Sequence, residues 1–361
     1  MKVCLIASNS IDVSPYVKKY ATILETKGIE YDIISKEPSK RKNEEFASNN
    51  KVFFYTEGYS LIKKFRRFWD YACFVHKILK ENEYDKAVIF SVCNSCFSYL
   101  RSFNILKNKC KYIVDIRDYD SNLKYKWMKS LFTNVIKNAQ ALVISSEKFK
   151  SWIPKKKETY VMHNIPQTNT KIESSDVFNK ENIVVGYLGG VGYYKENVAI
   201  AESVKNSDII SLLYAGIFPE TNNIKDYCKE KNIKNVKFLG RYNECEKASI
   251  YSEVDIINAV YGNDSLIVTT ALPNKLYDSV FYKIPIMACS GTFLGEIVEK
   301  YSLGFCVEPK EDDINDKIME YSENFNASEF KKGCNEYLLY VLKEQEETER
   351  FINNFLEEEN I

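Results

Sequence analysis

Hydrophobic residues in this chain gather in short, nearly continuous runs, separated by stretches with a helical period. In the first half the runs are VCLIAS, YDIIS, KVFFY, KAVIFS, KYIVDI, ALVISS and TYVMHN. In the second half they are IVVGYLG, IISLLYAG, VKFLG, DIINAV, PIMACS and GFCVEP. Runs that are apolar at successive positions predict strands of parallel sheets covered on both faces. The stretches between them predict helices. Val17, Tyr20, Ala21 and Leu24 form one such stripe, which stops at Gly28. Strand and helix alternating on this scale predict an α/β fold.

The polar stretch IPQTNTKIESSDVFNKEN at 165–182 has little apolar periodicity and reads as an interdomain linker. It predicts a Rossmann-like domain over 1–168, a linker over 169–181 and a second Rossmann-like domain over 182–341. The tail from about Ser328 is a long, charged helical pattern. Its last part, about 342–361, is expected to return to the first domain.

Composition narrows the picture little. The 361 residues suffice for two ordinary domains. Fifty basic and fifty acidic residues cancel, so no global field favours nucleic acid. Nothing approaches the roughly 18 to 20 apolar residues of a membrane span. MKVCLIASNS is too short and polar for a signal peptide and reads as a first strand. The ten scattered cysteines read as buried free thiols in a reducing cytosol. CNSC at 93–96 has redox or zinc spacing but no second pair nearby, so packing thiols are expected. With His76 and His163 the only histidines, a histidine-based metal site or triad is disfavoured.

Three segments of the second half suit phosphate. IVVGYLGGVGYYKEN runs a strand into Gly189, Gly190 and Gly192, with a helix expected near Lys195. Glycines there let backbone N–H groups approach a phosphate, although a plain turn explains them equally. VKFLGRY places Arg241 at a strand end, with Tyr242 beside it. Arginine suits bidentate phosphate binding, and a surface arginine is the bland reading. PNKLYDSVFYKIPIMACS at 273–290 starts a helix at Asn274 and sets Lys275 and Asp278 on one face, flanking Leu276. The pair suits a diphosphate and a ribose, or forms a helix-surface ion pair.

Taken in order, GYLGGVGYYK, FLGRY, the PNKLYD helix, KIPIMACSG and LGFCV resemble the family-4 retaining glycosyltransferases of the GT-B fold. The likeness spans most of the second half. In the first half it is looser: the segment around SNSIDVSPYVKKY, the DIRD strand end at 115–118, and ALVISSEKFKSWI with YVMHN. It implies two Rossmann-like domains facing across a cleft, with a C-terminal helix returning to the first. It implies transfer of a sugar from a nucleotide diphosphate sugar, a UDP-sugar by expectation, to a glycan or lipid-linked glycan. The anomeric configuration would be retained, with no essential metal. Lys195 and Lys275 match positions near the diphosphate, and Asp278 the ribose position, where glutamate is more usual. Arg241 joins Lys195 and Lys275 as a catalytic candidate, and Tyr242, Asn274 and Leu276 complete the expected nucleotide-sugar site.

Two departures stand out. A position that often carries arginine is Gly190, and one that usually carries an acidic donor-sugar contact is Thr270. In the first domain, Asp118 is a candidate for an acceptor hydroxyl or the donor sugar, or a capping residue. Ser8, Asn9 and Ser10 follow the first strand, where a diphosphate-facing loop or a plain polar turn is expected. His163 reads as structural. Lys63, Lys64, Arg66 and Arg67, interleaved with Phe65, Phe68 and Trp69, form a basic aromatic stretch. KYKWMKSLF at 124–132 is similar. Both suit an inner-membrane surface or a helix with its aromatics in the core. The expected location is cytoplasmic, peripheral on the membrane. Rival readings are a nucleotide-sugar 2-epimerase and a catalytically silent binding partner.

Overall fold

The computed structural model describes residues 1–42, 44–58, 60–156, 158–166, 178 and 182–357. The expected linker lies outside the described residues, Phe178 aside. The chain divides into two compact units. One is Met1–Met162 with Glu344–Ile361, and the other is His163–Lys343.

The first unit is a seven-stranded parallel sheet. Its strands are β1 (Lys2–Ile6), β2 (Glu30–Pro38), β3 (Asn50–Tyr55), β4 (Lys86–Phe90), β5 (Lys111–Ile116), β6 (Leu142–Ile144) and β7 (Thr159–Val161). They lie in the order β3-β2-β1-β4-β5-β6-β7. The intervening helices are α1 (Pro15–Thr26), α2 (Leu61–Glu81), α3 (Val92–Asn108) and α4 (Lys126–Asn138). The stripe Val17, Tyr20, Ala21 and Leu24 is the buried face of α1. Gly28 follows that helix at φ +65°, a left-handed turn that glycine makes without strain.

Side chains on β5 alternate between the faces, as the strand period of two requires. Ile113 joins the core with α1. Its neighbour Tyr112 packs on Tyr99 of α3 and donates to the Val135 carbonyl of α4. So α1 covers one face, and α3 and α4 cover the other.

The second unit holds β8 (Ile183–Gly190), β9 (Ile210–Ile217), β10 (Val236–Leu239), β11 (Ile256–Ala259), β12 (Ile286–Cys289) and β13 (Gly304–Val307). Their order is β10-β9-β8-β11-β12-β13, all parallel. Its helices are α5 (Tyr194–Val204), α6 (Ile224–Glu230), α7 (Lys247–Tyr251), α8 (Leu266–Thr270), α9 (Asn274–Tyr282), α10 (Phe293–Lys300) and α11 (Ile314–Glu323). Along β12, Met287 and Cys289 enter the core with α5 and α11. Ile286 and Ala288 enter the core with α9 and α10.

The last helix, α12, runs Ala327–Glu357. Its first half gives Phe330, Cys334, Tyr337 and Val341 to the second unit's core. Its end gives Ile352, Phe355 and Leu356 to the first unit's core. The expected return of the tail to the first domain is thus present, on a helix that begins earlier than 342. Each of the runs read as strands forms one. No helix among the described residues is long and apolar enough to cross a membrane.

Candidate functional site

In open parallel sheets, ligands bind beyond the carboxyl ends of the strands, where the strand order reverses. In the second unit that point lies between β8 and β11. β8 ends in Gly189 and Gly190, and α5 begins four residues later. Gly189 has φ +121°, and a Cβ on its β9 neighbour Gly216 would stand 1.7 Å from the Gly189 carbonyl oxygen. Only glycine at 216 allows the two strand ends so close.

The loop is tied from below. The Asn197 amide donates to the carbonyls of Gly192 and Tyr193 at 2.7 and 3.0 Å. Asn258 donates to Asn197 at 3.3 Å, and Tyr187 Oη donates to the Gly190 carbonyl at 3.1 Å. Asn197 sits on the apolar stripe of α5, with Ile200, Ala201 and Val204. A polar residue on an apolar stripe is the sequence signal for this support.

Lys195, the second residue of α5, is exposed. It borders a solvent-open recess of about 350 Å³ with Glu196, Asn263, Glu308 and Lys310. Arg241 is exposed two residues after β10, and Tyr242 beside it is half-buried. Asn274 is exposed as the first residue of α9. Gly189 thus lies at the carboxyl end of β8, and Lys195 and Arg241 follow the carboxyl ends of β8 and β10 in the same sheet.

The PNKLYD helix departs from its surface reading. Lys275 and Asp278 are both buried, at 5% and 3% exposure. They do not form the surface ion pair. Asp278 Oδ1 pairs with Lys247 Nζ at 2.8 Å, and Oδ2 accepts from Tyr251 Oη at 2.9 Å. Burial pushes the Asp278 carboxyl above its ordinary value, and Lys247 pulls it back down. Lys275 Nζ lies 2.9 Å from the Tyr187 ring centroid and 5.1 Å from that of Tyr261. Burial holds its amine well below the ordinary 10.5, against the charge of Asp278. Leu276 is fully buried in the core, and its N–H donates to the Pro273 carbonyl. Its side chain is thus a packing group. Sequence reasoning missed Lys247, which sits in the charged run ECEKAS and reads there as a surface residue.

Thr270 spends its hydroxyl on the Leu266 carbonyl of its own helix at 2.5 Å. Gly190 stands in open space, with nothing within 4 Å of a Cβ built there. An arginine at 190 therefore meets no steric barrier. If the loop faces a diphosphate, Gly190→Arg should tighten nucleoside diphosphate binding about tenfold by calorimetry. Unchanged affinity would place the phosphates elsewhere.

In the first unit, Asp118 is exposed two residues beyond β5. Loss of hydration raises its carboxyl above the ordinary value, against the pull of Arg117. Arg117 is fixed by both oxygens of Asp115, at 2.5 and 2.7 Å. Ser8 bonds Tyr16 Oη, and Ser10 caps the short turn after it. His163 is buried, with Nδ1 at 2.9 Å from Tyr277 Oη. Cys93 and Cys96 are buried in α3, and burial pushes both thiols up.

No family model matches the sequence, and no curated protein matches it at a significant level. Solved structures do match its fold. Sucrose-phosphate synthase from Thermosynechococcus elongatus is 12% identical with a TM-score of 0.73, covering 98% of this chain and 99% of that one. A trehalose-6-phosphate structure from E. coli, bound with UDP-2-fluoro glucose, is 9% identical with a TM-score of 0.71, covering 99% and 100%. A putative UDP-N-acetylglucosamine 2-epimerase from Listeria monocytogenes is 9% identical with a TM-score of 0.58, covering 94% of each. At such identities the likeness establishes the fold, which is GT-B: two Rossmann-like α/β domains built on parallel sheets.

Proposed function

We propose that this chain is a retaining glycosyltransferase. It moves a sugar from a nucleotide diphosphate sugar, a UDP-sugar by preference, to a hydroxyl of a glycan or lipid-linked glycan. The observation that carries this reading is the strand-order reversal of the second sheet. There a glycine loop opens onto the start of α5, with Lys195 and Arg241 exposed on the same carboxyl edge.

The chemistry follows from charge. As the bond from the anomeric carbon to the diphosphate oxygen breaks, negative charge grows on the leaving group. Lys195, Arg241 and the N–H groups at the start of α5 stabilise that charge. Lys275 acts from beneath, packed on Tyr187, which holds the Gly190 carbonyl. The acceptor oxygen bonds to the anomeric carbon on the face being vacated, and its proton passes to the departing phosphate oxygen. No enzyme nucleophile and no metal enter this scheme. Asp118 is the residue proposed to accept a hydrogen bond from the acceptor hydroxyl. Ribose at Asp278 would have to displace or share the bonds of Lys247 and Tyr251.

A second reading, a catalytically silent binding partner, is favoured by Thr270 and by the burial of Asp278. The Listeria likeness keeps the epimerase reading in view. NMR of nucleotide sugars incubated with the full chain separates the three. Nucleotide release that depends on a glycan acceptor supports transfer. An epimer formed from donor alone marks an epimerase, and no change in any donor marks the silent partner.

A further inference from the structure

A second surface lies in the first unit, on α2, α3 and α4. Large apolar side chains normally hide there, yet Ile62 is 81% exposed, Phe65 52%, Leu100 51% and Trp127 50%. They are not scattered. Ile62, Phe65 and Trp69 fall at i, i+3 and i+7 on α2, a single helical stripe. Phe65 and Trp127 both pack edge-on against Phe97 of α3, which is buried beneath them. Leu100 follows Phe97 by three residues on the same helix. Phe65, Phe97 and Trp127 thus form one aromatic cluster across the three helices, with Ile62, Trp69 and Leu100 exposed on the same helices. Of the aromatics in the basic stretch, Phe65 and Trp69 are exposed and Phe68 is half-buried and stacked on Phe97, while Tyr71 further along α2 is buried in the core.

The charge carried by these segments is strongly positive. Residues 61–70 carry four bases, α3 carries two and α4 carries three, nine in all. The same segments hold one acid, Asp70, which lies 3.6 Å from Arg66. In a chain whose charges cancel overall, this is a marked local surplus. Lys63, Lys64 and Arg66 are exposed, and so are Lys126 at the start of α4 and Lys124 in the turn before it. Exposed aromatics suit the headgroup boundary of a bilayer, and bases suit its anionic lipids.

We propose that α2, α3 and α4 form a docking face for an anionic lipid bilayer. Ile62, Phe65 and Trp127 enter the headgroup region, and the surrounding bases bind lipid phosphates. This inference does not rest on the sugar-transfer reading, and it is tested without nucleotide or acceptor.

The test is co-sedimentation of the full chain with vesicles of phosphatidylcholine alone, or with about one-third phosphatidylglycerol. The wild type should bind the anionic vesicles at least about tenfold more tightly and release at high salt. Tryptophan emission should shift to the blue on binding. The Lys63→Glu/Lys64→Glu/Arg66→Glu variant should lose that binding about tenfold or more. Ile62→Asp, a change at a side chain already in solvent, should weaken it and reduce the blue shift while leaving the melting temperature unchanged. Equal binding to both vesicle types, or none, overturns the proposal. So does full binding by the charge variant. Self-association of the wild type that Ile62→Asp abolishes, with no vesicle binding, would instead assign this face to a second copy of the chain.

Discussion

Lys195→Ala should lower turnover of the nucleotide sugar by about a hundredfold or more, because one stabilising charge at the leaving diphosphate is lost. Lys195 is exposed, near the start of α5, and takes no part in the core. Its removal should therefore leave stability within about 0.5 kcal/mol of wild type. Steady-state kinetics beside a melting curve separates the two effects. A large loss of kcat with an unchanged melting temperature is the expected pair. Normal turnover would remove Lys195 from the diphosphate site.

Lys247→Met should strongly destabilise the second unit. It strips the ion-pair partner from a carboxylate only 3% exposed and leaves Asp278 with Tyr251 alone. Breaking a buried pair in this way costs about 3–5 kcal/mol. For a unit of this size the melting temperature should fall by about 10 °C. The deficit should depend on pH. Burial already raises the Asp278 carboxyl above 3.8, and without Lys247 it rises further. The folded variant then holds a proton that the unfolded chain has released. Its stability should fall as pH rises from 3.8 to that raised value, so the deficit is smaller in acid than at neutral pH. Lys247→Met/Asp278→Leu should recover most of the loss, since neither charge is then buried alone. Equal melting temperatures for Lys247→Met and wild type at neutral pH would show that the pair contributes nothing.

Local pattern carried the architecture. Doubly covered parallel strands announce themselves through continuous apolar runs such as KAVIF and IMAC, and all residues of both are buried. The stripe of α1 and its stop at Gly28 are legible for the same reason: both depend on near neighbours. The site is legible only where it follows the chain closely, as with Gly189, Gly190 and Lys195. Lys247 and Asp278 lie 31 residues apart in sequence, and nothing local pairs a lysine in a charged run with an aspartate in a helix. Nor does spacing reveal that Lys275 turns into the rings of Tyr187 and Tyr261. Helical geometry put Lys275 and Asp278 on one face. It could not say that this face is buried.

Burial of those two side chains bears directly on whether the second unit holds a nucleotide. Calorimetric titration of the full chain with UDP and with GDP, repeated on Lys195→Ala, is the most direct test. One of the two nucleotides should bind the wild type with one-to-one stoichiometry, UDP being the expected one. At about a hundredfold its dissociation constant it should also stabilise the fold by about 2.7 kcal/mol. Lys195→Ala should bind it more than about tenfold more weakly. Heat-silent titrations with both nucleotides, or a Lys195→Ala isotherm identical to wild type, would contradict the account.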